Sequence, residues 1–143
     1  MLKKILNGNI QIRDSVENWE ESVKLASGPL LERKYIKESY VDSMIGEIKK
    51  LGFYVVLREG VAMPHSRPEN GVLVTSMSLL KLNTPVMYGG NAVNLIFILA
   101  SVDSSAHIEA LTAFSEFLQN DEDVMLLTAC ETIEDINKII DKY

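Results

Sequence analysis

Residues 72–102 read VLVTSMSLLKLNTPVMYGGNAVNLIFILASV, and the fold is decided there. Val72 to Leu82 is apolar at odd and even positions alike, with serines and a threonine interspersed. That pattern suits a strand covered on both faces rather than one half in water. Turn chemistry gathers around Gly89, Gly90 and Asn91 within Thr84 to Ala92. Val93 to Val102 reads as a second buried strand; Asn94 breaks it, and it is far short of a membrane span. Outward on the amino-terminal side, Phe53 to Leu57 is a short apolar and aromatic run bounded by glycine and charge, which also has strand character.

Helical patterns flank these strands. Asn18 with Glu21 forms a capping box for a helix beginning near Trp19. Trp19, Val23, Ala26 and Leu30 share one face of it, and Gly28 with Pro29 predicts a kink or break. A second helix starts near Lys37, with Val41, Met44, Ile45, Ile48 and Leu51 as its buried stripe and Gly52 as its stop. After the second strand, Asp103, Ser104 and Ser105 are candidate caps for a helix reaching about Leu118. A short helix is expected over Val124 to Cys130. The acidic run Asp121, Glu122 and Asp123 lies at its start, where carboxylates complement the helix dipole. Thr132 with Asp135 caps a last helix through Ile136, Ile139 and Ile140. Helices at both ends with strands between imply an α/β fold, a sheet flanked by helices on both faces.

Composition narrows the chemistry. The 143 residues are 47% hydrophobic and 24% charged, which describes one globular domain over residues 1–143. A chain of this length buries roughly 70% of its unfolded surface and needs no disulfide or metal for a core. Fourteen basic against twenty acidic residues give a net charge of −6, which disfavours nucleic acid and anionic lipid as partners. The single cysteine, Cys130, rules out an internal disulfide and suits a reducing cytosol. It sits among Met125, Leu126, Leu127 and Ala129 and reads as a small buried apolar residue. The opening MLKKILNGNIQIRD lacks an apolar run long enough for a signal peptide, so a cytoplasmic location is expected. Glycines are scattered, with no phosphate-cradling loop of the nucleotide-binding kind.

The most unusual local sequence is Gly60 to Gly71, GVAMPHSRPENG. Pro64 fixes its own φ and pushes Met63 to an extended conformation, and Pro68 does the same to Arg67. His65 is thereby held on a stiff, non-helical segment with glycine turns at either end. Imidazole titrates near pH ~6.5, so much of it is a neutral nucleophile at neutral pH. Arg67 offers a guanidinium fork suited to phosphoryl oxygens. The competing reading is a turn with a surface histidine. The only other histidine, His107, falls in the first turn of the helix after the second strand, on the face of Leu111, Phe114 and Leu118. It is either a satisfied core residue or, at a strand-to-helix junction where α/β sheets bind ligands, a functional one. Ser104 and Ser105 read as caps rather than nucleophiles.

At VAMPHSRPENGV the chain resembles the enzyme IIA component of the mannitol–fructose superfamily of the bacterial sugar phosphotransferase system. It is most similar to the ascorbate-type branch, whose pattern around the histidine is Pro-His-Gly-Arg-Pro-Glu-x-Gly-Val. The paired helices before the motif and SVDSSAHIEALTAFSEFL after the second strand extend the likeness over nearly the whole chain. The resemblance implies a mixed sheet of about five strands sandwiched between helices, with no metal and no organic cofactor. It implies that His65 accepts a phosphoryl group from the carrier HPr and passes it to a cysteine of the cognate enzyme IIB. His107 maps to the family's second, supporting histidine. Arg67 and Ser66 are candidate phosphoryl contacts, Ser66 replacing the family's usual glycine. An ungapped count sets Lys49 where the mannitol branch has a supporting arginine, and that role is not carried over. No membrane insertion is implied, and a homodimer is left open.

Three other readings stand beside this one. A regulatory enzyme IIA would signal through its phosphorylation state instead of feeding transport. A metal-dependent hydrolase would use His65, His107 and a carboxylate such as Asp103 or Glu69. A catalytically silent interaction module would use neither histidine.

Overall fold

The computed structural model describes residues 1–103, 105 and 107–143. The chain runs α1 (Leu2–Leu6), β1 (Ile10–Arg13), α2 (Trp19–Glu32), α3 (Glu38–Leu51), β2 (Val56–Arg58), β3 (Gly60–Ala62), a 3₁₀ turn (Pro68–Asn70), β4 (Ser76–Tyr88), β5 (Asn91–Ala100), α4 (Ile108–Gln119), α5 (Asp121–Ala129) and α6 (Ile133–Ile140). The five strands form one mixed sheet in the order β1-β4-β5-β3-β2. β1 is parallel to β4 and β3 to β5, while β4–β5 and β2–β3 are antiparallel.

Both faces of the sheet are covered, as the two apolar runs predict. On β5, Ile96, Ile98 and Ala100 face α2 and α3. The alternating Leu95, Phe97 and Leu99 face α1, α4, α5 and α6. Period-two alternation, apolar in both phases, therefore feeds two separate cores. β4 and β5 are joined by a tight turn at Gly89 and Gly90, with Gly89 at φ 62°. Pro85 falls inside β4, where pairing with β5 lapses between Lys81 and Val86, so its missing N–H removes no ladder bond.

Several elements depart from expectation. The helix from Trp19 does not break at Gly28 and Pro29; it continues to Glu32. A helical proline deprives the carbonyl four residues earlier of its donor, here Leu25. Gln11 of β1 supplies a replacement, its Nε2 donating to Leu25 O at 2.8 Å. Substituting Gln11→Ala is expected to cost about 1–2 kcal/mol, read as a lower thermal midpoint. An unmoved midpoint would show that water serves Leu25 equally well. Leu51, expected in the buried stripe of α3, is 65% exposed because the helix stops there and Gly52 turns the chain at φ 89°. Phe53 and Tyr54 belong to a turn, and the strand begins only at Val56. β4 likewise starts at Ser76 rather than Val72. The helix after β5 starts at Ile108 with His107 as its N-cap residue, later than the Asp103–Ser105 candidates. Ser104 lies outside the described residues. α1, β1 and β3, at five, four and three residues, are too short to carry a periodic signal.

Candidate active site

The loop bearing His65 leaves the carboxyl end of β3, and the segment bearing His107 leaves the carboxyl end of β5, the parallel neighbour of β3. Adjacent parallel strands thus deliver both histidines to one end of the sheet, where open α/β folds bind ligands. Leu99 N donates to Pro64 O at 3.2 Å, joining the loop to the end of β5. The two imidazoles make no hydrogen bond to each other.

His65 is half-buried, and its Nδ1 lies 2.8 Å from Met63 O. A carbonyl only accepts, so Nδ1 carries the hydrogen, and the neutral ring has its lone pair on Nε2. The loop that sets this geometry is stiff for reasons partly visible in its sequence. Pro64 and Pro68 restrict it, and Gly71 closes it at φ 136°. A Cβ at Gly71 would stand 2.8 Å from Ser39 Oγ and 3.0 Å from Tyr40 N, so only glycine fits there. Gly71 O accepts from Lys37 N at 2.9 Å, pinning the loop to the start of α3.

α3 contributes a polar face that sequence reasoning missed. Tyr40, Ser43 and Glu47, spaced i, i+3 and i+7, point to the His65 loop. The Tyr40 hydroxyl accepts from Ser66 N at 2.9 Å and donates to Leu99 O at 2.7 Å. Burial pushes its pKa up to about 12, so the phenol keeps its donor at neutral pH. Ser66 Oγ donates to Glu47 Oε1 at 2.9 Å and lies 2.7 Å from Ser43 Oγ. Asn70 Nδ2 donates to Ser66 Oγ at 3.1 Å and to Ser43 Oγ at 2.9 Å. Tyr54 presents its ring edge-on to His65, centroids 6.0 Å apart, and its hydroxyl donates to Glu47 Oε2 at 3.4 Å. Burial and the Glu47 charge raise the Tyr54 pKa. The signal for this face lay in the spacing of three polar residues beside the apolar stripe.

The other candidates are placed as follows. Ser66 does not occupy the left-handed region, so replacing the family's glycine strains nothing; its hydroxyl hydrogen is engaged by Glu47. Arg67, two residues past His65, is exposed, and its guanidinium has no partner among the described residues. Lys49 is exposed, about 200° around α3 from Glu47 and so turned away from the His65 loop. His107 is half-buried at the edge of a cleft of about 630 Å³ that Lys4, Thr75, Ser105 and Glu109 also line. Ser101 Oγ is 2.5 Å from both His107 Nδ1 and Asp103 O. Its one hydrogen goes to the Asp103 carbonyl, so Nδ1 of His107 is the donor to Ser101. Cys130 is 8% exposed, and burial raises its thiol pKa. Among the described residues no three His, Cys, Asp or Glu side chains group to hold a metal ion, and no helix is long and apolar enough to cross a membrane.

A mixed five-stranded sheet between helices, with an imidazole anchored through Nδ1 at the ends of parallel strands, defines an α/β sandwich with a candidate ligand site at one end of its sheet. The family is set by comparison: the sequence profile of the phosphoenolpyruvate-dependent sugar phosphotransferase system, EIIA 2, matches residues 4–143. The chain belongs to that family, and its members are phosphotransferases of the sugar phosphotransferase system. It is 38% identical over 124 residues to the mannitol-specific cryptic phosphotransferase enzyme IIA component of Escherichia coli K12, covering 85% of this chain and 84% of that protein. It is 29% identical over 140 residues to the ascorbate-specific PTS system EIIA component of the same organism, covering 95% and 91%. The solution structure of the mannitol-specific cryptic enzyme IIA CmtB from Escherichia coli superposes with a TM-score of 0.91 at 32% identity, covering 99% of each chain.

Proposed function

We propose that this chain is a cytoplasmic phosphocarrier of carbohydrate uptake, accepting a phosphoryl group on His65 from phosphorylated HPr and passing it to a cysteine of a cognate enzyme IIB. The observation that carries the reading is the His65–Met63 hydrogen bond, which gives the neutral ring its lone pair at Nε2 on a loop already held in place. Nε2 attacks phosphorus, an N–P bond forms, and the bond to the donor breaks with its electron pair leaving on the donor. His65 keeps the Nδ1 hydrogen throughout, so no proton need be exchanged, and the ring carries the positive charge opposite the phosphoryl dianion. Return of the same group to a thiolate of enzyme IIB restores the starting tautomer.

Charge stabilisation comes from nearby groups rather than from acid–base chemistry on phosphorus. Arg67, two residues past the histidine and without a partner among the described residues, is free to reach a phosphoryl oxygen. His107, whose Nδ1 hydrogen is taken by Ser101, offers a second donor at Nε2 when its ring is protonated. The net charge of −6 suits a basic patch on a partner protein and a brief, steered encounter. An enzyme IIA need not touch the sugar, and its relatives divide between mannitol and ascorbate, so no residue here selects the substrate.

Incubation with phosphoenolpyruvate, enzyme I and HPr is expected to add one acid-labile, base-stable phosphate per chain, seen by intact mass. Omitting HPr should prevent it. A chain that stays unlabelled under the complete mixture would overturn the reading.

A further inference from the structure

We propose that Glu47 is a positioning residue for His65 whose charge also sets the transfer potential of the phosphohistidine. Glu47 is half-buried and grips both neighbours of the imidazole. Oε1 accepts from Ser66, the next residue in the chain, and Oε2 accepts from Tyr54, whose ring edges the histidine. Two hydroxyl donors need only an acceptor, and an amide oxygen would serve one of them without charge. The chain instead holds a carboxylate there, and Glu47 takes part in none of the ion pairs among the described residues. No cation among the described residues therefore pairs with its charge, which is held against Ser66 and Tyr54, the two residues that flank the imidazole.

The sign follows from Coulomb repulsion. A phosphoryl group on His65 Nε2 brings negative charge toward Glu47, raising the free energy of the phosphorylated form relative to the free one. Arrival from the donor becomes less downhill and departure to the next acceptor more downhill. A carrier must avoid holding its cargo too tightly, and the Glu47 carboxylate opposes the cations that attract the phosphate. In each transfer the N–P bond at His65 forms as the donor bond breaks, or breaks as the acceptor bond forms. Glu47 exchanges no proton in either step.

The inference rests on His65 being the carrier, so the wild-type protein is first labelled through HPr. No label would overturn the phosphocarrier reading and this one with it. Given labelling, the equilibrium between phospho-HPr and the chain is measured by intact mass for wild type, Glu47→Gln and Glu47→Asp. Glu47→Gln is expected to shift it toward the phosphorylated chain by roughly three- to tenfold. Glu47→Asp, which keeps the charge, is expected to shift it less. The ¹⁵N signals of His65 are expected to report an Nδ1-protonated ring in both variants, since Met63 sets that tautomer. An equilibrium that Glu47→Gln leaves at the wild-type value, or that both variants move equally, would overturn the role of the charge.

Discussion

Replacing His65 with alanine is expected to abolish phosphate uptake from HPr, by at least about a thousandfold in initial rate, while leaving the chain folded. The loss is large because no other group combines the required features. The only other imidazole in the sequence, His107, has its Nδ1 hydrogen tied to a serine hydroxyl and is not carried on a proline-stiffened loop. Removing a covalent nucleophile leaves only binding and positioning, which do not make the N–P bond. The fold should survive, because among the described residues the side chain of His65 hydrogen-bonds only to Met63, within its own loop. The thermal midpoint is expected to move by less than about 1 kcal/mol equivalent. Base-stable label persisting in the folded variant would show that the acceptor is elsewhere.

The second large effect is expected from Tyr40→Phe, a change of one oxygen. That hydroxyl joins α3, the His65 loop and the end of β5, because Ser66 N–H and Leu99 C=O both use it. Tyr40 is fully buried, so phenylalanine leaves a donor and an acceptor without a partner. The expected cost is roughly 2–3 kcal/mol, a fall of about 6–12 °C in thermal midpoint for a chain of this size. The loop that aims His65 would also lose the tether at Ser66 N, and misplacing a reacting group by about 1 Å costs up to roughly a hundredfold in rate. Phosphoryl transfer from HPr, followed well below the lowered midpoint, should therefore slow at least about tenfold. A lowered midpoint with an unchanged transfer rate would limit Tyr40 to the fold.

Features that depend on near neighbours could be read from the residue order. Asn18 accepts from Glu21 N and Thr132 from Asp135 N, as the capping spacings predict. Two-phase apolar alternation in β4 and β5 correctly implied a sheet with helices on both faces. The stiffness of the loop around His65 was also visible, since Pro64, Pro68 and Gly71 act on their own backbone. The short elements α1, β1 and β3 were not visible, because they hold too few residues for a period to show.

What remained hidden depends on pairs distant in the chain. Pro29 was expected to kink or break a helix, but whether it does depends on Gln11, eighteen residues earlier, lending an amide to Leu25. Nothing around position 29 encodes that donor. The His65 site follows the same division. By itself the sequence singled out the His65 imidazole and how rigid its mount would be, since Pro64 and Pro68 lie within three residues of it; which ring nitrogen is left open follows from the Met63 hydrogen bond in the structure. Only the tertiary structure decided what surrounds that atom. Tyr40, Ser43 and Glu47 come from a helix 18 to 25 residues upstream, and Leu99 from a strand 34 residues downstream. Backbone preferences and hydrophobic periods act over one or two turns of chain, whereas hydrogen bonds between packed elements exist only once both cores have formed.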